Sequence, residues 1–348
     1  MGFLPMPTLH AVTREQSGRA FGSMLLALVL TSTALFLVFR GVDTGDLWVA
    51  LARQEPGLLV AAAILIVLQI FCGGARWRAI LLALDGRSAT SASRVLAAFY
   101  SGIFFNNFPL GTVGGDIARV WLARQFKRPL SQIILSVLVD HVVAVIGLII
   151  LAIFTLPAVS HPSALVAWFA CAGVVMLLFV AIYFFRLIGR LFGRWRDHRL
   201  VSLVLNLAGE LQSLTRNRLA LVAVLYALLS SVCAGVSAYC IARSLGIALS
   251  ATALMAVMSM VLLVTSIPVS IAGWGVREAS IVTILGVLGV SKELALLLSV
   301  EVGLLTMLVS LPGGILWMVI REEKVRCGAS KRGQSISQSR DSTSGAHL

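Results

Sequence analysis

The chain has 348 residues, of which 59% are hydrophobic and only 12% are charged. A soluble globular domain usually carries about 25% charged residues, so the composition argues against a soluble enzyme. The formal charge of +13 comes mainly from Lys and Arg between the apolar runs and in the C-terminal segment. That distribution is typical of the cytoplasmic loops of membrane proteins, and we therefore expect no nucleic-acid partner. The apolar runs approach the roughly 20 residues that span a bilayer, which predicts an all-α integral membrane fold.

The first half of the chain predicts two spans and a cytoplasmic N-terminal segment, 1–19. The first helix is expected at about 21–39 and the second at about 57–75, within a polytopic membrane domain that covers 20–320. The second helix is followed by Arg76-Trp77-Arg78. Interfacial anchoring is the usual role of Trp and Arg at a helix end, and contact with a lipid headgroup is the alternative.

A short apolar run then ends in a segment rich in Pro and Gly. Val95 to Phe108 is too short to span comfortably, and it leads into Asn106-Asn107-Phe108-Pro109, followed by Gly111, Gly114 and Gly115. Broken backbone at membrane depth is tolerated only inside protein or beside water. The pattern predicts a re-entrant hairpin that enters from the cytoplasm.

The rest of the chain predicts four further spans and a second hairpin. Spans are predicted at about 131–156, 163–185, 219–241 and 294–320, with a strongly basic cytoplasmic loop at 186–199. Two short runs, 251–267 and 276–290, flank Pro268, Gly273 and Gly275 and predict a second hairpin, from the outside. The total is about eight hydrophobic helices, with six full spans and two re-entrant hairpins as the preferred interpretation. In the alternative, the two runs of 251–290 both cross the membrane, which leaves the C-terminal segment on the same side. We expect 321–348 to be a basic, disordered tail, with both termini in the cytoplasm.

The two Pro/Gly motifs indicate a weak inverted repeat. Aligning Pro109 with Pro268 places Gly114 on Gly273, and an Arg and an acid lie close to each motif. Paired, interrupted apolar segments in matching halves are the sequence sign of a transporter whose substrate site lies between the repeats.

Ionisable residues near these motifs are the candidate binding site, because charges at membrane depth usually have a functional role. Asp116 and Arg119 follow the first glycines, and Arg277 and Glu278 follow the second. The planar fork of an Arg near a helix N-terminus suits an anionic headgroup. In the alternative, each Arg pairs with the neighbouring acid to lower the cost of burial. The residues expected to bind substrate are Arg76, Asn107, Asp116, Arg119, Arg277 and Glu278.

Three further residues could couple transport to protons. Asp140 and His141 lie in one predicted span and Glu301 lies in the last. Packing of polar groups against other helices is the alternative for each. The sequence has no phosphate-binding loop, no GxSxG and no HExxH, so we expect no catalytic residue, no metal and no cofactor.

These motifs resemble the flippase-like family that includes the transmembrane region of lysylphosphatidylglycerol synthase. The resemblance covers about 20–320 and is carried by Arg76-Trp77, by Asn107-Phe108-Pro109 with Gly114 and Arg119, by Pro268 with Ala272 to Glu278, and by Leu311-Pro312-Gly313-Gly314. Asp116 stands where the family commonly has Glu, and Asp140-His141 where it often has Glu-Arg. The resemblance implies handling of lipids or lipid-linked sugars at the bacterial cytoplasmic (inner) membrane.

The function that these observations favour is lipid translocation, by a transporter rather than an enzyme. The cargo would be an anionic phospholipid or a polyprenyl-phosphate-linked lipid. A membrane-embedded transferase that uses a lipid-phosphate donor, with Asp116 or Glu278 as base or metal ligand, is one alternative. A non-catalytic partner of a glycosyltransferase or synthase, docked through 186–199 or the tail, is another.

Overall fold

The structure is a computed structural model, and it describes residues 52, 54–85, 91–107, 111–126, 128–159, 217–266 and 274–344. Within these ranges, 85, 111–113, 158 and 321–344 are described by their backbone alone. Several predicted features lie outside the described residues: the spans 21–39 and 163–185, the basic loop 186–199, and the Pro-containing motifs at 108–110 and 267–273.

The described part of the chain is all-α. It contains eight α-helices, which are α1 (Pro56–Asp85), α2 (Ala92–Asn107), α3 (Gly111–Ala123), α4 (Leu130–Thr155), α5 (Arg218–Ser244), α6 (Ala251–Thr265), α7 (Val276–Val287) and α8 (Lys292–Ser344). Short 3-10 turns extend α3 over Arg124–Phe126 and α4 over Leu156–Ala158. The predicted fold class is confirmed, while the predicted disorder of 321–348 stays a prediction.

Four of the described helices are long and apolar enough to cross a bilayer. These segments are Pro56–Leu84, Leu130–Thr155, Arg218–Ser244 and Lys292–Ile320. They match four of the six predicted spans. The first of them extends beyond its predicted end at 75, so Arg76-Trp77-Arg78 lies inside α1. Trp77 is fully buried there, and its interpretation as an interfacial anchor is therefore wrong.

The short helices form two hairpins, each packed against a long helix through a glycine. A Cβ atom on Gly74 of α1 would lie 2.6 Å from Leu96 Cδ2 of α2. A Cβ atom on Gly235 of α5 would lie 2.7 Å from Met255 Cγ of α6. Both distances are shorter than a carbon–carbon contact, so a larger residue would require the neighbour to shift: the Leu96 side chain at Gly74, and the Met255 backbone, whose Cα would lie 2.9 Å away, at Gly235. Leu96 and Met255 are 159 residues apart, which is also the spacing of Pro109 and Pro268.

The same spacing of 159 residues relates the cores of α2–α4 and α6–α8. Residues buried at one position are buried at the other, in the pairs Val95/Leu254, Ala98/Val257, Leu122/Ile281, Phe126/Leu285, Val137/Leu296 and Val139/Leu298. The helix packing repeats as well. The contacts of α1 with α2, of α2 with α8 and of α3 with α4 correspond to those of α5 with α6, of α6 with α4 and of α7 with α8. The repeat is therefore α1–α4 followed by α5–α8.

The first helices of the two repeats, α1 and α5, run in opposite directions. The hydroxyl of Ser237 in α5 donates to the Ala62 carbonyl of α1 at 3.1 Å, and that of Ser230 donates to the Gln69 carbonyl at 3.3 Å. Later residues of α5 thus contact earlier residues of α1, so the helices are antiparallel. Antiparallel equivalents are the mark of an inverted repeat.

Candidate functional site

A cavity of about 350 Å³ lies where the two repeats meet. Asn106 and Asn107 at the end of α2 and Leu262 and Thr265 at the end of α6 all line it, so both hairpins reach it with their tips. Gln69 and Ser230, the contact between α1 and α5, also line the cavity. The cavity therefore lies midway along the long helices, on the boundary between the repeats.

The cavity wall combines an apolar lining with polar groups from both repeats. Its polar residues are Gln69, Arg76, Asn106, Asn107, Ser230, Ser231, Thr265 and Thr306. Arg76 and Asn107 were predicted as binding residues. The Ser, Thr and Gln residues were not, because single hydroxyls in an apolar helix usually satisfy their own backbone. Their convergence from α1, α5, α6 and α8 becomes visible only in the folded chain.

Next to the cavity, Asp140 of α4 holds two arginines. Arg76 Nε donates to Asp140 Oδ1 at 2.7 Å and Arg76 Nη2 to Oδ2 at 3.1 Å. Arg119 Nη2 donates to the same Oδ2 at 2.8 Å. All three residues are buried. The cluster fixes the first hairpin, through α3, to both α1 and α4.

Arg119 is further enclosed by two aromatic rings and a glycine. Its Cζ lies 4.5 Å from the ring centroids of both Trp77 and Phe99, where the ring quadrupole attracts a cation. Gly102 leaves room for its stem, because a Cβ atom there would overlap Arg119 Cγ. Trp77 is oriented by its Nε1, which donates to Ser136 Oγ at 3.1 Å.

Asp116 continues the alternation of charges toward the protein surface. Its Oδ1 lies 3.6 Å from Arg119 Nη1, and its Oδ2 lies 2.9 Å from His141 Nε2. The His141 side chain is 51% exposed. Asp140 and His141, adjacent in sequence, thus do not pair with each other. They belong to one chain of contacts that runs from Arg76 at the cavity, through Asp140, Arg119 and Asp116, to His141.

The second motif builds a smaller buried cluster at the start of α7. Gly275 has a φ of 84°, and its N–H donates to Glu278 Oε2, which caps the helix. Arg277 donates to Glu278 Oε1 from Nε at 3.0 Å and from Nη2 at 2.7 Å, and Ser299 Oγ of α8 donates to the same oxygen at 3.3 Å. Glu278 is fully buried.

In both motifs the arginine lies against a tryptophan ring and beside a glycine, although the two arginines are not at equivalent positions of the repeat. Arg277 Cζ lies 4.5 Å from the Trp274 ring, and Gly303 of α8 leaves room for its guanidinium. By the repeat, Glu278 corresponds to Arg119 and Ser299 to Asp140, so equivalent positions are in contact in both halves. The charge at this shared position, however, is reversed: it is positive at Arg119 and negative at Glu278.

Glu301 belongs to neither motif cluster. Its Oε1 accepts a hydrogen bond from Gln54 Nε2, just before α1. Its Oε2 is buried and has no hydrogen-bond partner within the described part of the chain. The structure therefore divides the predicted residues among the cavity wall (Arg76, Asn107), the first cluster (Arg76, Asp116, Arg119, Asp140, His141), the second cluster (Arg277, Glu278) and Glu301. Their roles in binding and coupling stay predictions.

Long apolar helices, two inserted hairpins and a polar cavity between repeats together define a multi-pass membrane protein. The chain belongs to the family described as "Lysylphosphatidylglycerol synthase TM region", which it matches over residues 24–314. It is also similar to a "UPF0104 membrane protein" of Methanothermobacter thermautotrophicus, with 28% identity over 105 residues. That match covers 30% of this chain and 29% of the relative, so it spans less than a third of either.

Proposed function

We propose that the protein is a lipid translocase, which moves an anionic phospholipid or a polyprenyl-phosphate-linked lipid between the leaflets of a bacterial cytoplasmic membrane. The observation that carries the proposal is the polar cavity between the tips of two hairpins, at the boundary of an inverted repeat. Transporters built from such repeats bind their substrates at the repeat boundary near the membrane midplane. Membership of the family supports the link to lipids.

The proposed path takes the headgroup through the cavity while the acyl or prenyl chains stay in lipid. A hydrated headgroup cannot cross hydrocarbon without partners for its polar atoms. The cavity supplies such partners from five helices, and its apolar lining faces the start of the tails. Arg76 carries a positive charge at the cavity wall, which favours an anionic headgroup over a cationic one.

The two hairpins have different anchoring, which suggests how the cavity opens. The first is tied to α4 by the buried ion pair of Arg119 with Asp140, and Asp140 also pairs with Arg76 of α1. In the second, Arg277 pairs with Glu278 within its own helix, and among the described residues Ser299 is the one hydrogen-bond partner of Glu278 from α8. We therefore expect the α6–α7 hairpin to move while the α2–α3 hairpin stays fixed. Asp140, His141 and Glu301 are the candidates for coupling to protons.

Lipid flipping in proteoliposomes tests the proposal. The purified chain is reconstituted, and fluorescent anionic, zwitterionic and polyprenyl-phosphate lipids are followed by quenching of the outer leaflet, with and without a proton gradient. We expect headgroup-selective flipping by the wild type, and loss of flipping in the Arg119→Ala/Arg277→Ala variant after its folding has been verified by size-exclusion chromatography.

Absence of flipping for every lipid, under both conditions, would contradict the translocase proposal. Equal flipping of all headgroups would also contradict it, because non-selective scrambling needs no built site. Flipping that persists in the folded double variant would mean that neither motif arginine is required for the headgroup's passage.

A further inference from the structure

The hydrogen bonds of the cavity wall indicate which part of a headgroup it receives. Four hydroxyls on the wall already donate their hydrogen to a helix carbonyl: Ser230 to Gln69, Ser231 to Ala227, Thr265 to Leu262 and Thr306 to Val302. A hydroxyl has one hydrogen but two lone pairs. With its hydrogen used, each of these groups can offer only an acceptor to an occupant of the cavity.

The two asparagines at the tip of the first hairpin add further acceptors. Asn107 Nδ2 donates to the Ile103 carbonyl at 3.0 Å, which leaves Asn107 Oδ1 available as an acceptor. Asn106 Oδ1 is buried and has no hydrogen-bond partner among the described residues. A buried acceptor without a partner is costly, and an occupant that donates to it would remove that cost. The wall is therefore rich in acceptors from both repeats.

An acceptor-rich wall selects an occupant that brings hydrogen-bond donors. Phosphate oxygens are acceptors only, and at this wall they suit Arg76, whose Nε and Nη2 are already engaged by Asp140. Their other partners there are the amide N–H groups of Gln69, Asn106 and Asn107. An ammonium group is a donor, but it would lie near the Arg76 guanidinium, and no Asp or Glu lines the cavity in the ranges described. Uncharged hydroxyl groups satisfy both conditions.

We propose that the cavity binds the uncharged, polyhydroxylated part of a headgroup, a glycerol or a sugar, through hydrogen bonds that its hydroxyls donate to Asn106, Asn107, Ser231 and Thr306. The inference deepens the proposed translocase function and rests on it for the identity of the site. It makes the hydroxyls, rather than the phosphate, the basis of selection. The phosphate then lies at the edge of the cavity, on the Arg76 side.

Two matched pairs of lipids test this selection by binding alone. Phosphatidylglycerol and phosphatidylpropanol differ only in two headgroup hydroxyls, and polyprenyl-phosphate hexose differs from polyprenyl phosphate by the sugar. Binding of each to the full-length protein in detergent is measured by native mass spectrometry. We expect the hydroxylated member of at least one pair to bind about 2- to 10-fold more tightly per hydroxyl engaged, and the pair that shows the preference distinguishes glycerol from sugar.

Two Thr→Val variants provide the matched control. Thr306 and Thr155 both donate to the carbonyl four residues earlier, but only Thr306 lines the cavity. Thr306→Val should reduce the preference for the hydroxylated lipid about 2- to 10-fold, whereas Thr155→Val should leave it unchanged. Ser231→Ala, a smaller change at the same wall, should act like Thr306→Val.

Equal binding within both lipid pairs would overturn the inference. An equal effect of Thr155→Val and Thr306→Val would also overturn it, because the loss would then reflect general stability. These results are independent of the transport assay: selective flipping without a hydroxyl preference keeps the translocase and refutes this inference. A hydroxyl preference without flipping of any lipid keeps this inference and refutes the translocase.

Discussion

Replacing Asp140 with Asn is expected to destabilise the protein more than any other single change of a carboxylate to its amide in the described helices. Asp140 is buried, with a side chain only 1% exposed, and it binds two buried arginines through three hydrogen bonds of 2.7, 2.8 and 3.1 Å. Asn keeps the shape of the side chain but removes its charge. Arg76 and Arg119 would then face each other across a neutral amide.

The magnitude follows from the cost of a buried charge without its partner. Removing one member of a buried ion pair typically costs about 3–5 kcal/mol. Arg119 keeps part of its compensation, since Asp116 Oδ1 lies 3.6 Å away and two aromatic rings flank it. Arg76 has no second acid within salt-bridge distance among the described residues. We therefore expect a loss of about 3–5 kcal/mol in the free energy of unfolding for Asp140→Asn.

The assay is equilibrium unfolding of the purified protein in mixed micelles, with Glu55→Gln as the control. Glu55 is exposed, so its replacement should change the free energy of unfolding by less than about 0.5 kcal/mol. Combining Asp140→Asn with Arg76→Met should recover part of the loss, because one uncompensated charge is then removed. A loss below about 1 kcal/mol for Asp140→Asn, or a double variant less stable than either single variant, would refute this reasoning.

Three further predictions concern packing, the second motif and topology. Gly102→Ala should lower the free energy of unfolding by about 1–3 kcal/mol, since its Cβ would overlap Arg119. Gly286→Ala, in open space within α7, should raise the free energy of unfolding by about 0.4–1 kcal/mol. Equal effects of the two variants in the same assay would contradict the packing argument. Glu278→Gln should cost about 1.5–3 kcal/mol through its weakened bonds to Arg277, Ser299 and the Gly275 N–H, and an unchanged unfolding midpoint would show that this capped cluster contributes nothing. Ser91 and Ser250 are exposed and precede the two hairpins. In a cysteine-free background, single cysteines at these positions should react with an impermeant thiol reagent from opposite sides of the membrane. Labelling of both cysteines from the same side would exclude the inverted arrangement.

The inverted repeat could be predicted from the sequence, because Pro and Gly residues interrupt the apolar runs of both halves at matching positions. Pro109 and Pro268 break apolar runs at the same register, and the spacing of 159 residues between them also relates buried positions such as Leu122 and Ile281. Pro/Gly breaks and long apolar runs are local signals. The four described spans and the two hairpins follow from them without knowledge of any contact.

The site itself could be predicted only in part, since it depends on which helices meet. Arg76, Arg119 and Asp140 stand out in an apolar sequence, yet nothing local shows that a single carboxylate holds both arginines. The length of α1 was underestimated because Arg76 and Arg78 were interpreted as the helix end, whereas Asp140 of α4 compensates the charge of Arg76 within the helix. Thr306 and Ser231 carry no signal at all, because their role comes from the cavity that α5 and α8 form with the hairpin tips.

The most direct test of the central claim, that the headgroup passes through the cavity between the repeats, is the flipping rate of a cavity-filled variant. Ser231→Leu/Thr306→Leu adds bulk on the cavity wall, and Leu308→Phe adds bulk on an exposed apolar position of α8 that does not line it. Both variants are reconstituted beside the wild type, with the lipid that the wild type moves fastest. The account predicts that the double variant loses flipping while Leu308→Phe keeps it. Wild-type rates in the folded, cavity-filled protein would show that the headgroup takes another path.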